Sequence, residues 1–251
     1  MFKRALPLIL ALSCSSGSSG RIVSLAPSAD EIVVAIGGKS SLSGVSTYSK
    51  VKGVEVVGDL INPDYERILS LKPEVVILVL PMQRKVKARL EKLGIKTYDF
   101  SPESADELAA EIERLGELVG RRREADRLAD SVRKVVGAVK PLGNFTFYVE
   151  LSSKPVFVAG DSTYISDIIR RFGGRNLFSS VKGYVPVSTE EIMAKDPDIV
   201  FTTQPIGRRI GFKACVVRLK HEHVAPGLSV FDLIGTLKVK IDSCLKMREE
   251  S

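Results

Sequence analysis

The chain of 251 residues has no tryptophan, only two histidines and three cysteines, and these scarcities exclude several classes of protein. His221 and His223 are too few for a metal centre built from several imidazoles. The sequence contains neither a Gly-x-Ser-x-Gly nucleophile motif nor a Gly-x-Gly-x-x-Gly phosphate loop. It also does not indicate any pair of carboxylates in a catalytic arrangement. The sequence therefore favours a protein that is not an enzyme and that has no cofactor and no metal site.

Positive charge exceeds negative charge, with 37 lysines and arginines against 30 aspartates and glutamates, for a net charge of +7. Such an excess is found in proteins that bind nucleic acid or an anionic membrane surface. Here the basic residues alternate with acidic ones along two helix-like segments, 111–123 and 124–133. We interpret them as solvated helix faces, and we predict no nucleic-acid partner.

The first twenty residues have the pattern of an export signal. Two basic residues precede the apolar run 5–12, which is too short to span a bilayer because spanning takes about 20 apolar residues. The segment 11–14, Ala-Leu-Ser-Cys, resembles the lipobox of bacterial lipoproteins, in which the cysteine is acylated. We predict a signal peptide over 1–13, lipidation of Cys14 and a flexible Ser/Gly tether over 14–20. A plain cleaved signal with an incidental cysteine is the alternative.

The two remaining cysteines, Cys215 and Cys244, have two interpretations. Export to an oxidising compartment permits a disulfide between them. Two buried free thiols fit the sequence equally well, since spacing alone does not show whether the two Cα atoms come within bonding range.

Four apolar runs have the composition of buried parallel strands: 22–25, 75–80, 145–151 and 199–203. They alternate with stretches whose apolar residues recur at helical spacing. This alternation is typical of an α/β protein.

A weak internal repeat divides the chain into two halves. An acidic residue and an isoleucine, followed by a pair of glycines, occur at 31–38 and again at 167–174. A glutamate seven residues before a proline, which precedes a strand, occurs at 66–75 and again at 190–199. Glycine favours the left-handed end of a helix, and proline stops a helix before the strand that follows. The repeat therefore predicts a duplicated lobe.

The segment between the two copies has helical periodicity, and its second part covers 121–139. At 1.5 Å per residue this part is about 28 Å long, which suits a rigid strut better than a hinge. We predict two Rossmann-like β/α lobes, over 21–118 and 144–247. A single long α-helix over 121–139 joins them, and the ligand cleft lies between the lobes.

Eight short segments resemble one known family, and the first is Arg-Ile-Val-Ser-Leu-Ala-Pro-Ser. They cover residues 21–28, 44–49, 62–68, 71–76, 159–162, 172–177, 184–190 and 196–198. In this order they resemble the helical-backbone (class III) substrate-binding proteins of ABC importers, over about 21–203. The resemblance implies an extracytoplasmic monomer that captures cobalamin, a ferric siderophore or haem and delivers it to a permease dimer with its ATPase. Val-Ser-Thr-Tyr-Ser at 45–49 and the aromatic segment before Glu190 are most similar to cobalamin binders. We therefore expect cobalamin or a similar metal chelate as ligand, and a membrane attachment through the lipid on Cys14.

Candidate ligand-binding residues lie where strands of a parallel sheet end, because ligands bind beyond the carboxyl ends of such strands. This rule selects loop residues from both lobes: Pro27, Ser28, Met82, Gln83, Asp161, Tyr164 and Gln204. The resemblance adds Tyr48 and Tyr184. Tyrosine offers a flat face to a planar macrocycle and a hydroxyl to its polar rim, and methionine offers adaptable apolar contact. Ordinary packing is the alternative for each residue.

The segment His221-Glu222-His223 places two imidazoles on one face of a predicted strand, a spacing that suits two ligands of one metal ion. No third ligand is evident nearby in the sequence, so we interpret both as solvent-exposed histidines. One of them is a candidate axial ligand if the cargo is haem.

Glu66 and Glu190 hold equivalent positions in the two copies of the repeat. On two pseudo-symmetric lobes they would lie at the two ends of one face, as a two-fold symmetric permease requires. In the resembled family, glutamates at these positions engage arginines of the permease, so the resemblance implies permease docking for both. The alternative is that each glutamate only occupies an exposed helix turn.

Two other classes of function stay open. One is an exported α/β enzyme that uses the interlobe cleft, and the other is a structural or signalling module with the same fold, since a fold does not determine a function. Neighbouring genes for a permease and an ATPase would favour the importer.

Overall fold

The computed structural model describes residues 20–205 and 214–249. The predicted signal peptide and Cys14 lie outside the described residues. No helix in the described part of the chain is long and apolar enough to cross a membrane.

The N-terminal lobe is a five-stranded parallel sheet covered by helices. Its strands are β1 (Ile22–Ser24), β2 (Leu42–Val45), β3 (Glu55–Val56), β4 (Val75–Leu78) and β5 (Thr97–Asp99). They pair in the order β3-β2-β1-β4-β5. The helices between them are α1 (Pro27–Ala35), α2 (Tyr65–Ser70) and α3 (Arg84–Lys92). The central strands are buried along their length, which explains why their sequences are continuous apolar runs.

Two helices, α4 (Ala105–Leu118) and α5 (Arg122–Gly137), connect the lobes. The predicted connector over 121–139 corresponds to α5, and α4 packs along it. At their closest approach, a Cβ atom added to Gly116 would lie 2.2 Å from Cβ of Ala125, so only glycine fits there. Small and branched residues of α5 are buried in the same core: Ala125, Ala129, Val132 and Val136.

The C-terminal lobe is a mixed sheet with helices on its faces. Its strands are β6 (Phe145–Ser153), β7 (Val156–Ala159), β8 (Gly174–Asn176), β9 (Tyr184–Val187), β10 (Ile199–Thr202) and β11 (Cys215–Arg218). Five of them pair in the order β11-β10-β6-β7-β9, and β8 also pairs with β6. The helices are α6 (Tyr164–Arg171), α7 (Thr189–Met193), α8 (His221–Val224) and α9 (Val230–Glu249).

The two halves of the repeat are alike in local structure as well as in sequence. Helices α2 and α7 begin at side-chain caps, where Asp64 and Ser188 each accept a hydrogen bond from a backbone N–H three residues later. Lys72 and Asp196 are the non-glycine residues of the described chain with positive φ, at 47° and 41°, and each directly precedes a proline. Equivalent caps and turns support a duplicated lobe, and the predicted two-lobed α/β fold is confirmed.

One part of the C-terminal lobe departs from the expected parallel arrangement. Strands β6 and β7 pair in antiparallel fashion, as do β7 and β9. Only residues 154–155 separate β6 from β7, and so short a connection joins antiparallel strands, because a parallel crossover takes a dozen residues or more.

The structure joins Cys215 of β11 to Cys244 of α9 in a disulfide, with their Cα atoms 5.7 Å apart. This decides between the two interpretations that the sequence left open. The bond ties the C-terminal helix to the edge of the sheet. By the chain-entropy relation, closing a loop between residues 29 apart in sequence stabilises the fold by about 3–4 kcal/mol.

Candidate ligand-binding cleft

The space between the lobes contains two adjoining cavities, of about 460 Å³ and about 260 Å³. Residues of both lobes line each cavity. Three residues line both cavities and so separate them: Val79 from the N-terminal lobe, and Ala225 and Pro226 from the C-terminal lobe. We call the larger the first cavity and the smaller the second cavity.

The first cavity has an apolar wall and a charged rim. Its wall includes Tyr48, Met82 and Phe100, and Tyr48 and Met82 keep 61% and 53% of their surface exposed. At the rim, the ammonium group of Lys50 lies 3.2 Å from a carboxylate oxygen of Glu31 and 3.1 Å from one of Glu222. Because Glu31 and Glu222 belong to opposite lobes, Lys50 bridges the mouth of this cavity.

Gln83 positions the loops of the first cavity and does not line it. Its buried amide accepts a hydrogen bond from the Val79 N–H at 2.6 Å and donates to the carbonyls of Leu25 and Leu60 at 3.1 and 2.8 Å. These contacts hold together the loop before Pro27 and the loop that carries Met82. The rule that ligands bind beyond strand ends selected a loop that reaches the cleft. The Gln83 side chain, however, is hydrogen-bonded to backbone groups and does not face the cavity.

The second cavity is rich in hydroxyl groups. Tyr164 and Tyr184 line it, together with Ser101, Ser162 and Thr163. Burial, assisted by the carboxylate of Glu103, raises the pKa of Tyr184 to about 12, although 41% of the residue remains accessible from the cleft. Its hydroxyl therefore stays protonated, and it donates to the carbonyl of Val224 at 3.4 Å.

The segment 224–229 of the C-terminal lobe crosses the cleft and was not among the predicted site residues. A Cβ atom added to Gly227 would lie 3.0 Å from Cβ of Ser28 in the opposite lobe, so the segment packs tightly against the start of α1. Ser229 donates to the carbonyl of Glu222 at 2.7 Å and fixes the turn. The Pro-Gly dipeptide at 226–227 marks a turn in the sequence, but nothing in the pattern indicates that the turn enters the cleft.

The structure therefore brings six of the nine predicted ligand-binding residues to the cleft. Pro27, Ser28, Tyr48 and Met82 line the first cavity, whereas Tyr164 and Tyr184 line the second. The two aromatics expected to share a ligand, Tyr48 and Tyr184, thus lie in different cavities.

Asp161 and Gln204, like Gln83, line neither cavity. The Asp161 carboxylate is paired with the guanidinium of Arg170. The Gln204 amide donates to the carbonyl of Leu151 at 2.7 Å, so that it supports the wall of the second cavity from behind.

The interpretation of the histidine segment as a strand with two exposed imidazoles is wrong. These residues form α8, where positions two apart point in different directions. His221 is exposed and lines the first cavity, whereas His223 is 1% exposed, with Nε2 2.9 Å from a carboxylate oxygen of Asp232. In the described part of the chain, no group of three or more His, Cys, Asp or Glu side chains is placed to hold a metal ion.

Glu66 and Glu190 line neither cavity of the cleft. Each lies in the first turn of its short helix, α2 or α7, and each is exposed. The buried residue two positions later, Ile68 or Ile192, anchors each helix to its lobe.

The fold and the cleft define a class of protein. Two α/β lobes, joined by packed helices and enclosing an apolar cavity with a few polar groups, form a ligand-binding protein of the two-lobed type. The sequence pattern of the periplasmic binding proteins matches residues 22–215, and the chain belongs to this family. The prediction of a class III substrate-binding protein of an ABC importer, extracytoplasmic and not an enzyme, is thereby confirmed.

Individual relatives agree with this assignment. A vitamin B12-binding protein of Vibrio campbellii is 30% identical over 80% of this chain and 77% of its own length. An ABC transporter substrate-binding lipoprotein of Bacillus subtilis is 29% identical over 74% of this chain and 64% of its own. The crystal structure of the periplasmic vitamin B12-binding protein of Vibrio cholerae superposes with a TM-score of 0.73 and 25% identity, covering 88% of this chain and 98% of that one.

Asp30, a fully buried residue of α1, makes the stability of the cleft dependent on pH. Burial raises the pKa of its carboxyl group from 3.8 to about 6, and the hydroxyls of Ser24 and Ser49 lower it only in part. As the pH rises from about 4 to about 6, the unfolded chain releases this proton while the folded chain keeps it. The free energy of unfolding should therefore fall by about 3 kcal/mol in total between about pH 3 and about pH 7, and level off above that pH.

Asp30→Asn should remove this fall, because the amide is neutral at every pH, and it should make the protein more stable than the parent at pH 7. Urea unfolding at a series of pH values measures both effects. Asp126→Asn, at an exposed aspartate of α5, is the matched control. Parallel pH profiles for the parent and Asp30→Asn would show that Asp30 titrates alike in both states.

Proposed function

We propose that this protein captures cobalamin in the interlobe cleft and delivers it to the permease of an ABC importer. The main support for the proposal is the first cavity, which lies between the two lobes and combines the exposed ring of Tyr48 with mostly apolar walls. The relatives of about 30% identity that bear the name vitamin B12-binding protein support the same ligand.

The chemistry of the first cavity suits part of a large planar chelate. Tyr48 presents its ring to the cavity, and Met82 adds a polarizable thioether from the same lobe. The rim charges of Glu31, Lys50 and Glu222 lie where polar edges of such a ligand would meet solvent. The wall thus takes the apolar face of the ligand and the rim takes its polar periphery.

Haem is the second candidate, and one observation favours it. His221 and Met82 line the same cavity from opposite lobes. Imidazole and thioether are both ligands of haem iron, and the two together occur as an axial pair. Haem would therefore bind with its iron between these side chains.

We also propose that Glu66 and Glu190 dock the protein on the permease. This proposal is supported by the equivalence of α2 and α7. Each helix has a side-chain cap at its start, a buried isoleucine in the same position and a residue with positive φ before the proline that follows. A pair of exposed carboxylates related by pseudo-symmetry matches a two-fold symmetric pair of arginines, which bind carboxylates through two parallel hydrogen bonds.

We further propose that the protein is a monomer anchored to the membrane through acylated Cys14. The sequence of the export segment and the lipoprotein among the relatives support this anchor.

The ligand is tested by titrating the purified protein with cyanocobalamin and following its absorbance. We expect saturable binding by the parent protein. Tyr48→Ala should weaken it by about 1–3 kcal/mol, by analogy with the loss of a stacking aromatic, whereas Tyr48→Phe should retain most of the affinity. If the parent does not bind cyanocobalamin but shifts the Soret band of haemin, and His221→Ala abolishes that shift, haem is the ligand.

Docking is tested by the double charge reversal Glu66→Arg with Glu190→Arg. It should abolish the association with the permease in reconstituted vesicles, because removing one partner of a buried interfacial pair costs about 2–5 kcal/mol. Ligand affinity in solution should not change. The control carries the same charge change on the connecting helix, Glu124→Arg with Asp126→Arg. Normal transport by the double variant would refute the docking assignment, and a loss of ligand binding would assign both glutamates to the fold.

The anchor is tested by Cys14→Ser. This variant should move from the membrane fraction to the soluble extracytoplasmic fraction, since it lacks the acylated side chain. Mass spectrometry of the parent N-terminus gives the acylation state directly. An unmodified cysteine together with unchanged fractionation of the variant would contradict the anchor.

A further inference from the structure

The hydroxyl of Tyr164 has no hydrogen-bond partner among the described residues, although the residue is only 1% exposed. Buried polar groups of folded proteins are nearly all hydrogen-bonded, because an unsatisfied one loses its water and gains nothing in return. Tyr164 lines the second cavity. The residue that carries the unsatisfied hydroxyl therefore forms part of the wall of a cavity of about 260 Å³.

The loop that precedes Tyr164 is held in place by hydrogen bonds, which positions the backbone of this residue at the second cavity. The residue is the first of α6, and the loop before it is held at several points. The Gly160 N–H donates to the carbonyl of Gly183 at 2.7 Å, and the Asp161 N–H donates to that of Val181 at 2.8 Å. The hydroxyl of Thr163 donates to the carbonyl of Gly160 at 3.0 Å. These bonds position the start of α6, and therefore the backbone of Tyr164, without a ligand.

The charges around the second cavity select the kind of group that fits. Burial and the nearby carboxylate of Asp167 raise the pKa of Tyr164 above its ordinary value, so that its hydroxyl remains protonated and able to donate. Among the described residues that line the second cavity, Glu103 is the one with a charged side chain. A carboxylate would be repelled by Glu103, and an ammonium group offers no acceptor to Tyr164.

We propose that the second cavity is a subsite for a primary carboxamide arm of the ligand, whose oxygen accepts from Tyr164 and whose NH₂ group donates to Glu103. The inference rests on the proposed function and deepens it, because amide arms surround the corrin ring of cobalamin whereas haem carries carboxylate arms. Val79, Ala225 and Pro226 line both cavities, so the cavities adjoin there, and a ring in the first cavity would extend an arm past these residues into the second.

A fragment experiment tests the subsite without assuming the cargo. The protein is labelled with ¹³C at Cζ of tyrosine, and the Tyr164 signal is assigned by its disappearance in Tyr164→Phe. We expect propionamide to shift this signal in a saturable way, and equal concentrations of propionate or propylammonium to leave it in place. No shift with propionamide, or equal shifts with all three fragments, would overturn the proposal.

A second experiment connects the subsite with the ligand. Tyr164→Phe should weaken cyanocobalamin binding about three- to tenfold, the effect of one hydrogen bond, while its melting temperature is unchanged or higher because a buried unsatisfied group is removed. Glu103→Gln should reduce the ratio of the affinity for cyanocobalamin to the affinity for cobalamin acids, in which one amide is hydrolysed to a carboxylate. The reason is that the variant no longer repels that carboxylate. Tyr65→Phe, in α2 outside the cleft, is the control for the tyrosine variant.

The two failures are distinguishable. If the fragment experiment succeeds but no variant and no parent protein binds cyanocobalamin, the amide subsite stands and the cobalamin function falls. If the parent binds cyanocobalamin and Tyr164→Phe binds it equally well, the function stands and the subsite falls.

Discussion

The contact between α4 and α5 at Gly116 and Ala125 determines the geometry of the whole molecule. A glycine at this point lets the two helices approach until only the methyl group of Ala125 lies between them. α4 packs against α1 of the first lobe and α6 of the second, and α5 packs against α9. The apolar core therefore runs without a break from one lobe to the other. Bending at the connection would open this core, so we expect the width of the cleft to change little when a ligand binds.

Within this fixed frame, the cleft is shaped by groups that never touch a ligand. The amide of Gln83 ties three backbone segments together beneath the first cavity, and the loop 160–163 is tied in the same way beside the second. The close packing of Gly227 on Ser28 holds the segment 224–229 in the cleft, where Ala225 and Pro226 lie between the two cavities. Preorganisation of this kind lowers the entropy that binding has to overcome, because loops and side chains are already in place.

The sequence predicts the framework better than the site, for physical reasons. Apolar runs and paired turn signals are local, and they sufficed for the lobes, the repeat and the connecting helix. The hairpin of β6 and β7, the helix at 221–224 and the inward turn of Gln83 depend on contacts with residues distant in sequence. The segment 224–229 illustrates the limit: Pro226 and Gly227 indicate a turn, but only the position of Ser28 in the other lobe brings that turn into the cleft.

The two lobes are alike in the local structure of α2 and α7, whereas the two cavities between them differ. Helices α2 and α7 repeat the same cap, anchor and turn, down to the left-handed residues Lys72 and Asp196. The two cavities between the lobes are both mostly apolar but differ in their polar groups, since the first has charged residues at its rim and the second has several hydroxyl groups in its wall. A ligand whose two ends differ chemically would therefore bind in such a cleft in one orientation only. Every bound ligand would then have the same orientation relative to the two lobes, so the shape of the cleft alone would set which end of the ligand each lobe holds.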